Sequence, residues 1–185
     1  VRVKEGSPEK NAIKELELGY AHFGVASADQ VIRALGKGAD VVVLAQIFQV
    51  NPMQWIYRAD LPEIMTLQDL KGRHIGVTFG GNDETIMKTL LIRSGLGPED
   101  VTISGVRFDF TPFLRKKVEI WPVYRNSQGV ILENKLAGEG EAVRFLNPAR
   151  FGVSFVANSV VTSGKMLRTS PLVVDAFARA LLRAW

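Results

Sequence analysis

Apolar and polar residues recur with two periods along this chain, and these periods predict an alternation of strands and helices. Runs of β-branched or alternating apolar residues predict strands, and apolar residues spaced three or four positions apart predict helices. The predicted strands are 1–4, 20–25, 41–50, 53–57, 73–79, 101–108, 118–124, 143–146 and 153–161. The predicted helices are 8–18, 27–35, 66–71, 83–94, 111–117, 127–137 and 170–185. The alternation favours an α/β fold with mostly parallel strands.

Local sequence signals predict one boundary in each of two helices. Ser27 and Gln30 have the spacing of a capping box at the start of a helix. Gly95 is placed to end the helix 83–94 in the left-handed conformation. These signals predict the bounds of two helices independently of their apolar periodicity.

The last predicted helix carries an apolar stripe that reaches the final residue. Ser170 and Pro171 are typical of an N-cap and a first helical turn. The stripe consists of Val173, Val174, Phe177, Ala178, Leu181, Leu182 and Trp185. Because no capping residue follows, we expect the chain to be a fragment that lacks downstream elements that would cover Trp185.

Composition narrows the class of protein. The 185 residues are 46% hydrophobic and 23% charged, as in soluble globular proteins of one domain or two small lobes. The absence of cysteine excludes disulfides, thiolate nucleophiles and cysteine-bound metals. No apolar run has the length of a membrane span. No signal peptide is seen, but the chain starts without Met, so the gene product need not start here.

The charge pattern does not favour a nucleic-acid partner. The net charge is +4, but lysine and arginine are scattered, and the tight basic cluster is confined to residues 115–117. Nucleic-acid binders concentrate basic residues in a stripe and interleave aromatic ones. A solvated basic surface is the favoured interpretation.

The sequence lacks the patterns of common catalytic and metal sites. No nucleophile elbow, zinc-protease motif, phosphate-binding loop or dinucleotide fingerprint is present. His22 and His74 stand alone in predicted strands, which favours structural roles. Asp83 and Glu84 are neighbours on a predicted helix and point to different faces, so they are a poor acid and base pair. Ligand binding is therefore favoured over catalysis, with no cofactor and no metal.

Three loops follow predicted strands, where ligands bind in open α/β sheets. They are QIFQVNP at 46–52, the loop at 80–84 within TFGGNDET, and WPVYRN at 121–126. Aromatic side chains there can stack on a flat ligand, and amides can bond to its edge. The candidate ligand contacts are Gln46, Phe48, Gln49, Gly80, Gly81, Asn82, Glu84, Tyr124 and Asn126.

Each loop also has a structural interpretation. Phe48 and Trp121 fit the periodicity of core residues equally well. Gly80 and Gly81 are also typical of a tight turn, and Asn82 of a helix N-cap. The placement of all three loops at strand ends favours binding.

Six segments, in this order, resemble the substrate-binding proteins of ABC importers for nitrate, taurine, aliphatic sulfonates and thiamine-precursor pyrimidines. They are GYAHFGVASADQVIRALGKG, AQIFQVNP, LQDLKGRHIGV, SGLGPEDV, KKVEIWPVYRN and SPLVVDAFARALLRAW. The resemblance implies a two-lobed, type II periplasmic-binding-protein fold with a ligand cleft between the lobes. Lobe 1 would comprise 1–68 plus 158–185 and lobe 2 would comprise 69–157, with elements lacking at both ends.

The resemblance also implies where the protein works and with what. The location would be periplasmic or otherwise extracytoplasmic, with a lipid anchor as one option in the full-length protein. The partners would be a small-molecule ligand and a membrane-embedded ABC permease. The protein would be a monomer, although truncation favours association.

Three local patterns resemble the pyrimidine branch of this family most. They are the GGN-x-E loop, the Phe-Gln-x-x-Pro turn and the Tyr-x-Asn of the third loop. Asp83 and Glu84 would occupy the positive end of their helix dipole, which disfavours an anion and favours a neutral or cationic ligand. Ser127 and Gln128 depart from the Asn-Glu-Pro that the branch often has after this tyrosine, so the ligand can differ.

Three other functions stay open at this point. One is a sulfonate, taurine or nitrate binder of the same family. Another is an enzyme similar to the eukaryotic pyrimidine synthases of thiamine biosynthesis, which carry a cysteine-rich iron motif that this chain lacks. The third is a ligand-sensing domain of a regulator or kinase.

Overall fold

The computed structural model describes residues 2–7 and 10–184. In chain order its elements are α1 Ala12–Glu17, β1 Phe23–Ala26, α2 Ala28–Leu35, β2 Val41–Phe48, β3 Met53–Arg58, β4 His74–Val77, α3 Asn82–Ser94, β5 Thr102–Gly105, α4 Thr111–Leu114, β6 Trp121–Tyr124, α5 Gln128–Gly138, β7 Val143–Leu146, β8 Ala157–Ser163, α6 Gly164–Thr169 and α7 Pro171–Ala184. Two short 3₁₀ helices, Leu67–Leu70 and Pro148–Phe151, interrupt the loops.

The chain divides into two compact units. The second unit is the continuous segment Pro52–Ser154, and the first unit consists of the residues on either side of it. The sequence prediction instead divides the chain after residues 68 and 157. The difference arises at β3, which pairs with β6 and β7 and so lies in the second unit.

The first unit is built on a three-stranded sheet with β8 at its centre. β1 and β2 are each antiparallel to β8 and therefore run in the same direction as each other, with α2 between them along the chain. Asn11 caps α1 by accepting hydrogen bonds from the backbone N–H groups of Ile13 and Lys14. The core of this unit contains Ile13, Leu16, Ala26, Val31, Val41 and Val161.

The second unit joins a parallel pair of strands to an antiparallel sheet. β4 and β5 are parallel, and an isolated parallel bridge between Ile75 and Ile120 joins β4 to the residue before β6. β3 lies between β6 and β7 and is antiparallel to both. The Trp55 indole N–H donates to the Gly76 carbonyl at 3.0 Å, which ties β3 to β4. The main core cluster consists of Ile56, Val106, Phe113, Val118, Trp121, Val123, Leu132 and Leu136.

The predicted α/β class is confirmed, but the prediction of mostly parallel sheets is wrong for the described ladders. Only the β4–β5 ladder in the described part of the chain is parallel. As the predicted βαβ order implies, β1 and β2 run in the same direction as each other, and β6 and β7 do so too. In each case a strand from a distant part of the sequence, β8 or β3, lies between them. Periodicity indicates the type and burial of an element and does not indicate which strand lies beside which.

Several predicted elements are shorter or absent near the chain start. Residues 2–4 carry no strand, and Val1 lies outside the described residues. The helix predicted over 8–18 is described from Ala12, where Asn11 caps it, and Pro8 and Glu9 lie outside the description. Short polar segments of this kind have few apolar contacts that would extend them.

The end of the chain has one helix more than predicted. Residues 164–169 form α6, whose N-cap Ser163 accepts a hydrogen bond from the Met166 backbone N–H. The predicted stripe on α7 is narrower than expected, because Val174 is buried whereas Val173 and Leu182 are exposed. Trp185 lies outside the described residues.

Candidate functional site

Two of the predicted ligand loops lie at one edge of the second unit's sheet. β4 and the entry to β6 are joined by a parallel bridge, and the Gly76 N–H donates to the Ile120 carbonyl at 2.8 Å. Parallel neighbours end at the same edge of a sheet. The loop that follows Val77 and the loop that follows Tyr124 therefore leave the sheet side by side, at the edge where ligands bind in α/β folds.

The glycines of TFGGNDET form a tight turn into α3. Gly80 has φ of 78°, a left-handed conformation that favours glycine. The Gly81 N–H donates to the Thr78 carbonyl at 2.8 Å, and a Cβ at Gly81 would lie 2.5 Å from Asp83 Oδ1. Gly81 occupies the N-cap position, so the interpretation of Asn82 as the N-cap is wrong: Asn82 is the first helical residue and is buried. The turn requires glycine on both counts.

Carboxylates of the loop itself bind its backbone amides. Asp83 Oδ2 accepts from the Thr78 N–H at 2.5 Å, and Glu84 Oε2 accepts from the Gly80 N–H at 2.7 Å. Glu84 Oε1 also receives Lys88 Nζ at 2.6 Å. Two backbone N–H donors of this turn are thus already paired with carboxylates of the chain itself.

Asp83 is unusual among these groups because it is only 3% exposed. Burial raises the pKa of Asp83 from its ordinary value of 3.8 to about 6, because the charged form loses hydration. The Thr78 N–H, which stabilises the charged form, opposes this rise. At neutral pH the carboxylate is ionised, and it titrates within the physiological range.

The third loop is held by a residue that sequence reasoning did not assign to it. Gln128 Oε1 accepts from the Tyr124 backbone N–H at 3.1 Å and from Ser127 Oγ at 2.8 Å. Tyr124 is half-buried at the end of β6, and Asn126 is exposed in the turn. Trp121 is buried in the core cluster, so its structural interpretation is the one that the structure supports.

The arginine of the third loop is occupied by its neighbours. The Arg125 guanidinium carbon lies 4.1 Å from the centre of the Phe145 ring, and Arg125 Nη2 lies 3.0 Å from Glu133 Oε2. Stacking on a ring and pairing with a carboxylate both hold a guanidinium in place. Arg125 therefore adds little positive charge with which this loop could attract an anion.

In the first unit, Gln46 joins β2 to β8. Its Nε2 donates to the Ala157 carbonyl at 2.5 Å and to the Phe48 carbonyl at 3.2 Å, and its Oε1 accepts from Ser159 Oγ at 2.8 Å. Phe48 is half-buried opposite Ala157, and Gln49 is exposed in the bend that follows β2. Gln46 thus has a structural role, while the ligand contacts predicted for this turn stay predictions.

Replacing Gln46 with alanine should destabilise the protein by about 1–3 kcal/mol, because the buried Ser159 hydroxyl and the Ala157 carbonyl both lose a partner. The matched control is Gln49→Ala, which removes the same side chain from an exposed bend and should change stability by less than about 0.5 kcal/mol. Urea denaturation of the two variants measures the difference. Equal midpoints would contradict this role of Gln46.

The histidines take ordinary structural positions. His74 Nε2 lies 2.7 Å from Ser104 Oγ on the neighbouring strand, and the His74 backbone N–H donates to Glu119. His22 is exposed, and its carbonyl accepts from Thr162 Oγ1 at 2.7 Å. Within residues 2–7 and 10–184, no three His, Asp or Glu side chains are grouped as metal ligands would be. Across the same residues, no helix combines the length and apolar character needed to cross a bilayer.

Sequence reasoning missed one prominent residue of the second loop. Phe79 lies directly before the two glycines, and 61% of its surface is exposed. A strand pattern assigns such a phenylalanine to the core. Its position beside a glycine pair at the end of a strand is the signal that could have singled it out.

The chain matches one protein-family model and is similar to a curated bacterial protein. The family model described as NMT1/THI5 like matches residues 1–185. A protein of Haemophilus influenzae that is named for thiamine biosynthesis is 24% identical over 164 residues, which are 88% of this chain and 50% of that protein.

Two solved structures resemble the fold. The periplasmic aliphatic sulphonate binding protein SsuA from Escherichia coli has a TM-score of 0.70 at 19% identity, over 93% of this chain and 60% of that one. The ligand-binding component of an ABC-type import system from Staphylococcus aureus has a TM-score of 0.60 at 12% identity, over 89% of this chain and 56% of that one.

These matches define fold and family. The chain spans about half the length of the curated relative and about three fifths of the solved structures. At these identities the structural likeness establishes a periplasmic-binding-protein-like fold and does not establish a ligand. Since the family model matches the whole chain, the protein belongs to the NMT1/THI5-like family.

Proposed function

We propose that this chain is part of the extracytoplasmic solute-binding component of an ABC importer. Its ligand would be a small nitrogenous aromatic compound such as a thiamine-precursor pyrimidine. The family, the fold and the name of the Haemophilus influenzae relative support this proposal. Such a protein delivers its ligand to a membrane permease, makes and breaks no bond, and needs no cofactor.

The observation that carries the ligand class is the pairing inside TFGGNDET. Helix N-termini and glycine turns ordinarily offer N–H groups to anions. Here Asp83 takes the Thr78 N–H and Glu84 takes the Gly80 N–H. Two unit charges 4 Å apart repel by about 1 kcal/mol in water and about 4 kcal/mol near a protein surface. Lys88 offsets part of the Glu84 charge, so an anionic ligand is disfavoured there by the lower part of this range. A neutral or amine-bearing ring avoids this repulsion.

The residues that would contact the ligand remain part of the proposal. In the second unit they are the glycine loop with Asn82 and Glu84, and the third loop with Tyr124 and Asn126. In the first unit they are Phe48 and Gln49, with Gln46 holding their turn through its bonds to β8. Aromatic rings give stacking surfaces and side-chain amides give edge contacts for a heterocycle.

An anion binder of the sulfonate type is the second candidate. It is favoured by the likeness to the Escherichia coli sulphonate binding protein. The carboxylates bound to the glycine-loop amides argue against it. An enzymatic role has less support, since the chain has no cysteine for a cysteine-rich iron motif.

A thermal-shift panel separates the candidates. The panel contains an aminopyrimidine precursor of thiamine, taurine, methanesulfonate and nitrate, each over a range of concentrations. We expect the aminopyrimidine to raise the melting temperature in proportion to the logarithm of its concentration above Kd, because it binds the folded state only. We expect no shift from the three others. Stabilisation by the sulfonates without any by the aminopyrimidine would reject the proposed ligand class.

A further inference from the structure

The side chain of Phe79 lies on the backbone of Gly105. A Cβ placed on Gly105 would come within 2.6 Å of Phe79 Cε2 and 2.8 Å of Phe79 Cδ2. Real Cβ atoms do not approach other atoms so closely, so any larger residue at 105 would displace the ring. The glycine therefore provides the space in which the ring lies.

The backbone gives no other reason for glycine at 105. Gly105 ends β5 in regular parallel register, opposite Val77. Glycine inside a strand weakens it, and it often marks a place where another group approaches closely. The close group here is the Phe79 ring, so Gly105 and Phe79 form a matched pair.

The Phe79 ring lies against Gly105 and is still largely exposed. With 61% of its surface exposed, Phe79 contributes little to the core, although fully burying a phenylalanine would stabilise a protein by about 1.5–3 kcal/mol. It stands directly before Gly80, whose N–H is bound to Glu84. It also stands at the sheet edge from which the Tyr124 loop leaves. An apolar, flat surface thus lies at this sheet edge, and the backbone N–H groups of the residues on either side of Phe79 are bound to the carboxylates of Asp83 and Glu84.

We propose that Phe79 is the stacking surface for the flat ring of the ligand and that Gly105 is the residue that positions it. This inference rests on the proposed function and adds to it the requirement that the ligand be planar. Carboxylates beside the stacking surface favour a ring that carries an amino group, since N–H groups donate to carboxylates. Aliphatic sulfonates have no ring with which to use this surface.

Calorimetric titration with the aminopyrimidine tests this role in four variants. Phe79→Ala should weaken binding about tenfold or more, which corresponds to the loss of one aromatic stacking contact and its apolar area. Phe79→Tyr should bind within about threefold of wild type, because the ring is kept. Gly105→Ala should weaken binding severalfold by displacing the ring. The matched control is Phe108→Ala. Phe108 lies three residues after Gly105 and is 71% exposed, so its removal should leave Kd unchanged.

Stability provides the second measurement. Because Phe79 and Phe108 are both exposed, their alanine variants should melt within a few degrees of wild type. A loss of affinity without a loss of stability assigns Phe79 to binding. Unchanged affinity in Phe79→Ala would overturn the inference and leave the proposed function intact.

An NMR titration tests the stacking surface even if the proposed function fails. If wild type does not bind the aminopyrimidine, the ring resonances of Phe79 are followed by NMR during titration with millimolar 2-aminopyrimidine. Shifts of those resonances, lost in Gly105→Ala, would support the stacking surface even though the proposed ligand was wrong. Unshifted resonances would overturn the stacking surface as well.

Discussion

Replacing Arg58 with alanine is expected to lower the free energy of unfolding by about 2–4 kcal/mol, because it removes the hydrogen bonds and the packing of a buried guanidinium. Arg58 is 5% exposed, and its Nε donates to the Glu141 carboxylate. Its Nη1 donates to the Phe113 carbonyl at 2.9 Å, its Nη2 donates to the Leu114 carbonyl at 3.3 Å, and its guanidinium lies 4.8 Å from the centre of the Phe113 ring. The substitution removes all of these interactions at once.

Chemical denaturation measures this loss against a matched arginine. Arg115→Ala removes an exposed arginine from the end of α4 and should change stability by less than about 0.5 kcal/mol. A second readout is Glu141, whose pKa is held below its ordinary value by the hydrogen bond from Arg58. In Arg58→Ala the pKa of Glu141 should rise toward that ordinary value, as followed by NMR. Similar denaturation midpoints for the two alanine variants would contradict this role of Arg58.

The stability of the protein should fall as pH rises through about 6, because of Asp83. Burial raises the pKa of Asp83 from 3.8 to about 6, so the folded protein holds a proton that the unfolded chain has released. The contribution of this proton to stability is complete below pH 4 and is lost by pH 7. Its size is about 3 kcal/mol, from 1.36 kcal/mol for each pKa unit.

Asp83→Asn removes this titration while keeping an oxygen that can accept the Thr78 N–H. The difference in unfolding free energy between wild type and Asp83→Asn should therefore change between pH 4 and pH 7 and be constant above it. The control is Asp109→Asn. The pKa of Asp109 is lowered by hydrogen bonds from Thr111. The unfolding free energy of this variant should therefore run parallel to that of wild type above pH 5. Parallel curves for wild type and Asp83→Asn would contradict the raised pKa.

Periodicity predicted most elements because apolar spacing and local caps are properties of neighbouring residues. Gln30 Oε1 accepts from the Ser27 N–H as the capping-box spacing predicts, and Gly95 ends α3 with φ of 74°. Strand neighbours were not predictable in this way. The pairing of β8 with β1 and β2 joins residues more than a hundred positions apart, and only tertiary packing selects it.

The candidate site was predictable as a set of loops and less so as a set of contacts. Glycines at a strand end mark a turn because few other residues adopt positive φ, and Gly80 has such a φ. The role of Gln46 could not be read from the sequence, because its partners Ala157 and Ser159 belong to a strand far along the chain. The exposed ring of Phe79 depends likewise on a distant glycine.

The structure supports the electrostatic part of the sequence interpretation. The sequence predicted that Asp83 and Glu84 would occupy the positive end of α3. Both side chains accept hydrogen bonds from backbone N–H groups of the preceding turn. This distinguishes a loop that carries its own anions from one that offers its amides to a ligand.

The most direct test of the proposed ligand class is a calorimetric comparison of the aminopyrimidine with methanesulfonate, in wild type and in Glu84→Gln. We expect wild type to bind the aminopyrimidine at least about fivefold more tightly, since one repulsive charge contact near the surface costs about 1–4 kcal/mol. Glu84→Gln removes one charge from the glycine loop and should narrow this preference. Tighter binding of methanesulfonate by wild type, or a preference that Glu84→Gln leaves unchanged, would contradict a ligand site selected by the carboxylates of TFGGNDET.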